Sequence, residues 1–306
     1  MCIMINQYVN KLIDNLPDEF KQQKTPLRLD LVLDGGMFNG SYLVGAVHFL
    51  KEMERRKYIK VERVSGVSVG SIVALLYLSD SLESIPDLYN IFYNELKSSN
   101  TMSCIQQIKQ HLTVDKDLYT QLNNKLYISY NNIEKRTKSF KCVYKSNDDV
   151  YDAIAKSCHL PFLIDGKLLY KKKYLDGVNP YMFKPCSSRK ILHLDLFGYD
   201  KMLHFFNVKN EKTNCHRVLS GMLDIHNFYI KKTDTPMCSY VNDWGIINRS
   251  RSTVKTIYET VIVYTVCILS ILGRYTTGLE TSVIHKLFTR IMKECFGVIV
   301  ETYCCV

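Results

Sequence analysis

The sequence lacks the signatures of several protein classes. Its 11 cysteines are an odd number at irregular spacing with no Cys-x-x-Cys pair, which excludes a disulfide framework and argues against a zinc site. Helix-turn-helix, zinc-finger and RNP-type strings are missing, so nothing but charge indicates nucleic acid, and we expect no nucleic-acid partner. No long apolar segment precedes Asp14, so we expect no secretory leader and a cytoplasmic protein with reduced thiols.

The net charge that the chain does carry is positive. Lysine and arginine number 40 against 30 acidic residues, giving a net charge of +10 that is spread along the sequence. A basic surface favours a polyanion, and without a nucleic-acid motif the expected partner is an anionic membrane surface. A basic face that meets only solvent is the alternative. We therefore predict a cytoplasmic protein that can bind peripherally to membranes.

The stretch Val61–Leu78 (VERVSGVSVGSIVALLYL) carries the clearest chemical pattern. It predicts a buried strand, a sharp turn and an apolar helix, with Ser68 flanked by Gly66 and Gly70 in a G-x-S-x-G string. Glycines at these positions let neighbouring backbone pass close to a serine on a strained turn, and the helix N-terminus faces a developing oxyanion. The pattern predicts a nucleophilic serine; an ordinary strand-to-helix turn is the alternative.

A glycine-rich loop follows the first predicted strand, Leu27–Leu33 (LRLDLVL), and precedes a helix predicted from Tyr42 to about Lys57. The loop reads DGGMFNGS and contains Gly35 and Gly36 directly after an aspartate. Backbone N–H groups in such a loop can hold an anion. Gly40 is followed by Ser41, where the second glycine of a P-loop is followed by lysine. The pattern G-G-x-x-x-G also departs from the dinucleotide fingerprint, so nucleotide binding is disfavoured. A tight turn without a ligand is the alternative.

Residues 27–78 thus predict a βαβα unit, which implies a parallel sheet with helices packed on it. Both glycine turns leave the carboxyl ends of their strands, so they meet at one edge of the sheet. There the loop can supply oxyanion donors to chemistry at Ser68. Further elements are predicted along the chain: strands at 139–145 and 191–196, a short helix at 150–158, and mostly helical, polar structure at 84–133.

The predicted fold class is α/β, with a largely parallel central sheet flanked by helices and a helical C-terminal extension. We divide the chain into an N-terminal helix and linker (1–26), a main α/β domain (27–240) and a mostly helical C-terminal region packed on or appended to the core (241–306). The most apolar run, Thr260–Leu272, has 13 residues, too few to span a bilayer, and predicts a buried helix. Residues 282–300 are amphipathic and suit either the core or a bilayer surface.

An aspartate–glycine pair follows a predicted hairpin at 167–175. Asp176, with Gly177 after it, stands at a strand end, where a carboxylate can act as a general base without a histidine. The alternative is a turn of the common Asp-Gly kind.

Together these stretches resemble the patatin-like phospholipase family. That family has a glycine-rich oxyanion loop after its first strand, a G-x-S-x-G elbow one helix later, and an Asp-Gly motif well downstream. Here Asp176 lies 108 residues after Ser68. Residues 153–180 (AIAKSCHLPFLIDGKLLYKKKYLDGVNP) are similar to the family's helix, proline turn, hairpin and D-G-x-x-N-x-P region. The resemblance covers about residues 27–200.

The resemblance implies a lipid acyl hydrolase of the phospholipase A or lysophospholipase type. Its substrate would be a phospholipid or lysophospholipid, and it would need no metal or other cofactor. Ser68 would attack the ester carbonyl and form an acyl-enzyme, while Asp176 would accept its proton and later activate water. Backbone N–H groups of Gly36 and Met37 would hold the oxyanion, with Gly35 shaping the loop. Residues 27–240 would be the catalytic domain.

The sequence departs from the family pattern at three positions. Met37 stands where the family usually has a third glycine, Asn39 where it often has arginine or lysine, and Val178 where it often has glycine or alanine. A catalytically impaired protein on the same fold, acting as a membrane- or lipid-binding module, is therefore the alternative. A phosphate- or nucleotide-binding α/β protein is a third hypothesis, which the missing P-loop lysine disfavours.

Overall fold

A β-sheet forms the centre of the protein in a computed structural model that describes residues 2–36, 39–85, 109–110, 117–161, 167–196, 214–275 and 290. Its strands are β1 (Leu27–Leu33), β2 (Ile59–Val67), β3 (Leu126–Asn132), β4 (Thr137–Lys141), β5 (Tyr174–Asp176), β6 (Lys190–Leu194) and β7 (Cys238–Tyr240). The described α-helices are α1 (Cys2–Asp14), α2 (Asp18–Lys21), α3 (Gly40–Arg55), α4 (Val69–Leu78), α5 (Leu118–Leu122), α6 (Asn147–Ser157), α7 (Asn214–Lys231) and α8 (Ile246–Tyr275).

The sheet has the strand order β4–β3–β2–β1–β6–β7, and β5 pairs with β3 off this path. The four central strands run parallel, whereas β4 and β5 pair antiparallel with β3, and β7 pairs antiparallel with β6. Parallel neighbours need crossover connections, and α3 supplies the one between β1 and β2. The predicted α/β class is confirmed, with the parallel pairing confined to the centre of the sheet.

The segment from β1 to α4 forms where the sequence places it. β1 occupies the predicted strand Leu27–Leu33, and its last five residues are buried. The residues of α4 from Gly70 to Tyr77 are all buried, as expected of a helix that is apolar all round. The two glycine turns therefore lie at the carboxyl ends of β1 and β2, next to each other on the sheet.

The expectation of mostly helical structure at 84–133 is wrong for Leu126–Asn132, which forms β3. This strand has no apolar–polar alternation, because nearly all of it is buried, including the side chains of Asn131 and Asn132. Residues 86–108 and 111–116, which the same prediction covered, lie outside the described residues.

The main hydrophobic core lies between the sheet and the helices that cover it. The predicted N-terminal helix is α1, and its residues Ile5, Val9 and Ile13 are buried in this core, as is Leu16 just after the helix ends. The helical spacing of Ile5, Val9 and Ile13 explains both the helix and the face that it buries.

The longest described helix, α8, contains the apolar run Thr260–Leu272. One face packs on the sheet side, where Val263, Val266 and Cys267 join a small apolar cluster with β5. The prediction of a buried helix is nevertheless wrong, because several large apolar side chains of this run are exposed on the other faces: Val261, Tyr264, Ile268, Leu269 and Ile271. By length and composition, Ile246–Ile271 is the one stretch of described helix that could cross a membrane. The amphipathic segment 282–300 falls outside the described residues, apart from Arg290.

Candidate active site

Ser68 occupies the sharp turn between β2 and α4. Its backbone angles, φ 52° and ψ −129°, lie in a region that residues other than glycine rarely adopt. Strain of this kind costs on the order of 1–3 kcal/mol and persists only where the surroundings enforce it. The Ser68 N–H donates to Ser157 Oγ at 2.8 Å, and the Ser157 hydroxyl donates to the Ser129 carbonyl oxygen at 2.6 Å. The turn is therefore fixed to α6 and β3.

The glycines on either side of Ser68 leave room for close backbone approach. A Cβ on Gly66 would lie inside van der Waals contact with the Gly70 carbonyl oxygen. A Cβ on Gly70 would lie 2.5 Å from the carbonyl oxygen of Asp34, the residue before the glycine-rich loop. No side chain fits at either position, so the turn needs both glycines.

The glycine-rich loop lies directly against the serine. A Cβ on Gly35 would be 3.1 Å from Ser68 Cβ, and Gly36 has a φ of 157°. The Asn39 N–H donates to the Gly36 carbonyl oxygen at 2.9 Å and closes a turn. The structure thus brings Gly35 against Ser68, whereas the atoms nearest to a Cβ on Gly36 belong to Leu196 and Asn39. Met37, the third residue of the predicted oxyanion loop, lies outside the described residues.

Asp176 reaches the same place from β5. In the register of β3, Ser129 pairs with Val67 and the next residue, Tyr130, pairs with Asp176. The strands β2 and β5 therefore end facing each other. The Asp176 N–H donates to the His159 carbonyl oxygen at 3.0 Å, which fixes the end of β5 from a second side.

The environment of Asp176 favours its protonated form. Burial raises the pKa of the Asp176 carboxyl well above its ordinary value of 3.8, and the negative charge of Glu259 adds to the rise. The Ser68 hydroxyl and the Gly177 N–H lower this pKa in part, because both interact with the carboxylate. Oδ1 is buried and has no hydrogen-bond partner among the described residues. A carboxylate with a vacant acceptor beside a serine hydroxyl can take up a proton from it.

The comparison with protein families decides the assignment. A family model of patatin-like phospholipases matches residues 31–182, a segment that contains Ser68 and Asp176. The chain belongs to the patatin-like phospholipase family. Its members are lipid acyl hydrolases, which act on lipid substrates. Comparisons with curated proteins and with solved structures gave no match.

A buried charge cluster supports the glycine-rich loop of this patatin-like chain. Asp34 Oδ1 lies 3.2 Å from His193 Nε2, and Asp34 Oδ2 accepts from Lys255 Nζ at 2.6 Å. The same ammonium donates to Asp195 Oδ1 at 2.7 Å. Burial alone would raise the pKa of Asp34, but the charges of Lys255 and His193 outweigh it and lower that pKa. Asp34 is therefore an anion that holds the start of the loop in place.

The loop that follows Asp176 is held by another residue of α8, Glu259. Its carboxylate accepts from the Val178 N–H at 3.0 Å and from Asn179 Nδ2 at 2.9 Å. Asn131 Nδ2 donates to Glu259 Oε1 at 3.2 Å and to the Asp176 carbonyl oxygen at 3.0 Å. Sequence reasoning missed Glu259, Lys255 and Asn131 as parts of the site. The available signal was a lone carboxylate, Glu259, directly before the most apolar run of the chain.

Proposed function

We propose that this chain is a phospholipase A or lysophospholipase that cleaves acyl esters through Ser68 and Asp176. The observation that carries the proposal is the meeting of three features at one sheet edge. These are a serine on a strained turn, a buried carboxylate with a vacant oxygen beside it, and a glycine-rich loop in contact with the serine. Family membership favours this reaction over the nucleotide-binding alternative.

The arrangement suits a two-step acyl transfer. Asp176 takes the proton of the Ser68 hydroxyl as its oxygen attacks the ester carbonyl, and the backbone N–H groups of the loop at Gly36 and Met37 hold the oxyanion, with Gly35 shaping the loop. Collapse of the tetrahedral intermediate returns that proton to the leaving alcohol and leaves an acyl group on Ser68. Asp176 then deprotonates a water molecule, which attacks the acyl-enzyme, and the proton passes from Asp176 to Ser68 Oγ as the fatty acid leaves. In this proposal no step requires a metal.

The exposed side of α8 supports a membrane surface as the place of reaction. Ile257, Val261, Tyr264 and Ile268 follow each other at helical spacing and are all exposed. The single charged residue between Thr256 and Ile271 is Glu259, which is buried on the opposite face. A row of exposed apolar side chains on a helix can bury itself in the interface of a bilayer, and the net charge of +10 favours anionic lipids. We therefore propose a cytoplasmic enzyme that binds membranes peripherally.

The test is fatty-acid release from phospholipid vesicles and from lysophospholipid, with EDTA present. Wild type, Ser68→Ala and Asp176→Asn are compared, and a fluorophosphonate probe reports the reactive serine in the same samples. Release and labelling by wild type alone support a metal-independent serine hydrolase. If wild type releases fatty acid no faster than Ser68→Ala, although the protein is folded and still binds vesicles, the chain would be a membrane-binding protein with the same fold and without the activity.

A further inference from the structure

Glu259 is a buried carboxylate on α8, with 5 % of its surface exposed. Its Oε1 accepts from Asn131 Nδ2 at 3.2 Å and from the N–H groups of Val178 at 3.0 Å and Asn179 at 3.5 Å. Its Oε2 accepts from Asn179 Nδ2 at 2.9 Å and lies 3.7 Å from Lys138 Nζ. One carboxylate therefore collects donors from β3, from β4 and from the loop after β5.

These donors surround the predicted base. Val178 and Asn179 follow Asp176 by two and three residues, and Asn131 also binds the Asp176 carbonyl oxygen. Among the described residues, the N–H groups of Val178 and Asn179 both donate to Glu259 Oε1. Val178 and Asn179 are partly buried, and N–H groups shielded from water need partners, so the path of this loop depends on the Glu259 carboxylate.

We propose that Glu259 is a positioning residue for the reaction: it fixes the loop that carries Asp176 against the Ser68 hydroxyl. Glu259 does not touch the reacting atoms and acts through Asn131, Val178 and Asn179. The inference rests on the proposed function, because it assigns a role in proton transfer between Ser68 and Asp176. It extends the site beyond the matched family segment, which ends at residue 182.

The charge of Glu259 predicts an effect on the pH dependence of the reaction that packing alone would not produce. Burial raises the pKa of Asp176 and the Glu259 charge raises it further, while the Ser68 hydroxyl and the Gly177 N–H oppose both. Lys138 on β4 faces Glu259 rather than Asp176, and His159 contributes its backbone carbonyl oxygen to the Asp176 N–H. Removal of the Glu259 charge should therefore lower the pKa of the base as well as loosen its loop.

The experiment measures hydrolysis of a soluble, monomeric ester as a function of pH, so that membrane binding does not contribute. The variant is Glu259→Gln, which keeps the shape but places an NH2 group against the donors. The matched control is Glu134→Gln, the same change at an exposed position of the β3–β4 turn. We expect Glu259→Gln to lower kcat by about tenfold or more and to move the acid limb of the kcat profile to lower pH. Glu134→Gln should change neither.

A purely structural role would lower the melting temperature and leave the acid limb in place, and that result would overturn the proposal. Glu259→Asp, which keeps the charge, should restore the wild-type limb even where kcat stays low. If Glu259→Gln does not fold, Asn179→Ala removes one donor from the contact while α8 stays intact, and an unchanged kcat there would count equally against the proposal. If wild type hydrolyses the ester no faster than Ser68→Ala, the proposed function itself is refuted. If wild type is active and Glu259→Gln has the same kcat and pH profile, only the role of Glu259 is refuted.

Discussion

Ser68 and Asp176 meet because the strands that carry them end against neighbouring residues of β3. Ser129 pairs with Val67, which precedes the serine, and Tyr130 pairs with Asp176. Since β2 is parallel and β5 antiparallel to β3, the two strands approach each other end to end. Side chains alternate between the two faces of a sheet, so a shift of β5 by one residue would turn Asp176 away from the serine.

The strained turn predicts different stabilities for two substitutions at Ser68. Ser68→Gly and Ser68→Ala both remove the proposed nucleophile, so both should abolish fluorophosphonate labelling. Only glycine tolerates the φ of 52° without strain, so Ser68→Gly should be the more stable variant by about 1 kcal/mol. Chemical denaturation of the two variants measures the difference. Equal stabilities would mean that the turn relaxes without cost.

Asp176→Asn should stabilise the protein while it removes the proposed base. The folded-state pKa of Asp176 is raised above its ordinary value of 3.8, so the protonated form is the one that the fold favours. The contribution of this carboxyl to stability is therefore fully present below pH 3.8 and is lost as the pH rises through the folded-state pKa. Asparagine does not ionise, so the variant does not lose stability as the pH rises, and it should melt at a higher temperature than wild type at pH 7. For a chain of this size, about 1 kcal/mol corresponds to about 2–4 °C.

The pH dependence distinguishes this effect from better packing. Thermal unfolding is followed for wild type and Asp176→Asn at a series of pH values from 4 to 8. The gain of the variant should grow with pH. A constant gain, or a variant less stable than wild type at pH 7, would contradict the raised pKa.

Gly66→Ala should unfold or strongly destabilise the protein. The added Cβ would overlap the Gly70 carbonyl oxygen, which is backbone and cannot move aside without opening the elbow. We expect a loss of about 3 kcal/mol or more and no activity. Gly245→Ala is the matched control, because nothing lies within 4 Å of a Cβ at that position. Its stability should stay within about 0.5 kcal/mol of wild type.

Lys255→Met tests the charge cluster below the glycine-rich loop. The pKa of Asp34 is lowered by Lys255 and His193 against the effect of burial, so this carboxylate stabilises the fold above its ordinary pKa of 3.8 and loses that effect at lower pH. Loss of the ammonium would leave a buried charge uncompensated, which costs about 3–5 kcal/mol. The double variant with Asp34→Asn should recover part of this loss. Lys190→Met, which breaks a half-exposed pair with Asp243, is the control and should cost at most about 1 kcal/mol.

Val261→Glu should weaken membrane binding and leave the chemistry intact. Val261 is 56 % exposed near the middle of α8, and Val143, at 57 %, lies outside this helix, between β4 and α6. A charge at position 261 should lower the affinity for vesicles of mixed anionic and neutral phospholipid by about tenfold. Hydrolysis of a soluble ester should not change. Equal vesicle binding by Val261→Glu and the control Val143→Glu would rule out this face of α8 as the membrane contact.

Much of the fold could be predicted from local patterns in the sequence. The segment from Leu27 to Leu78 was predictable because its strands, glycine turns and helices each leave a contiguous signal in the sequence. β3 was not predictable in this way, because two of its buried positions are Asn131 and Asn132. The hydrogen bonds of Asn131 to Asp176 and Glu259 explain why a polar residue is stable there.

The candidate site, too, was predictable only where its residues are neighbours in the sequence. Ser68, Gly66 and Gly70 are neighbours in sequence, and their spacing alone predicts the turn. The contacts of Lys255 and Glu259 depend on where a distant helix packs, which no local pattern encodes. The two residues are one helical turn apart and lie on the buried face of α8, but this face could be recognised only from the three-dimensional structure.

The position of α8 has a consequence for how far the chain can be shortened. A protein that ended at residue 240, the predicted domain boundary, would keep Ser68 and Asp176. It would leave the Asp34 carboxylate without the Lys255 ammonium, and the N–H groups of Val178 and Asn179 without an acceptor. Unpaired buried groups of this kind oppose folding. The smallest fragment expected to fold with an intact site therefore includes α8, and the unit that folds is longer than the segment by which the family is recognised.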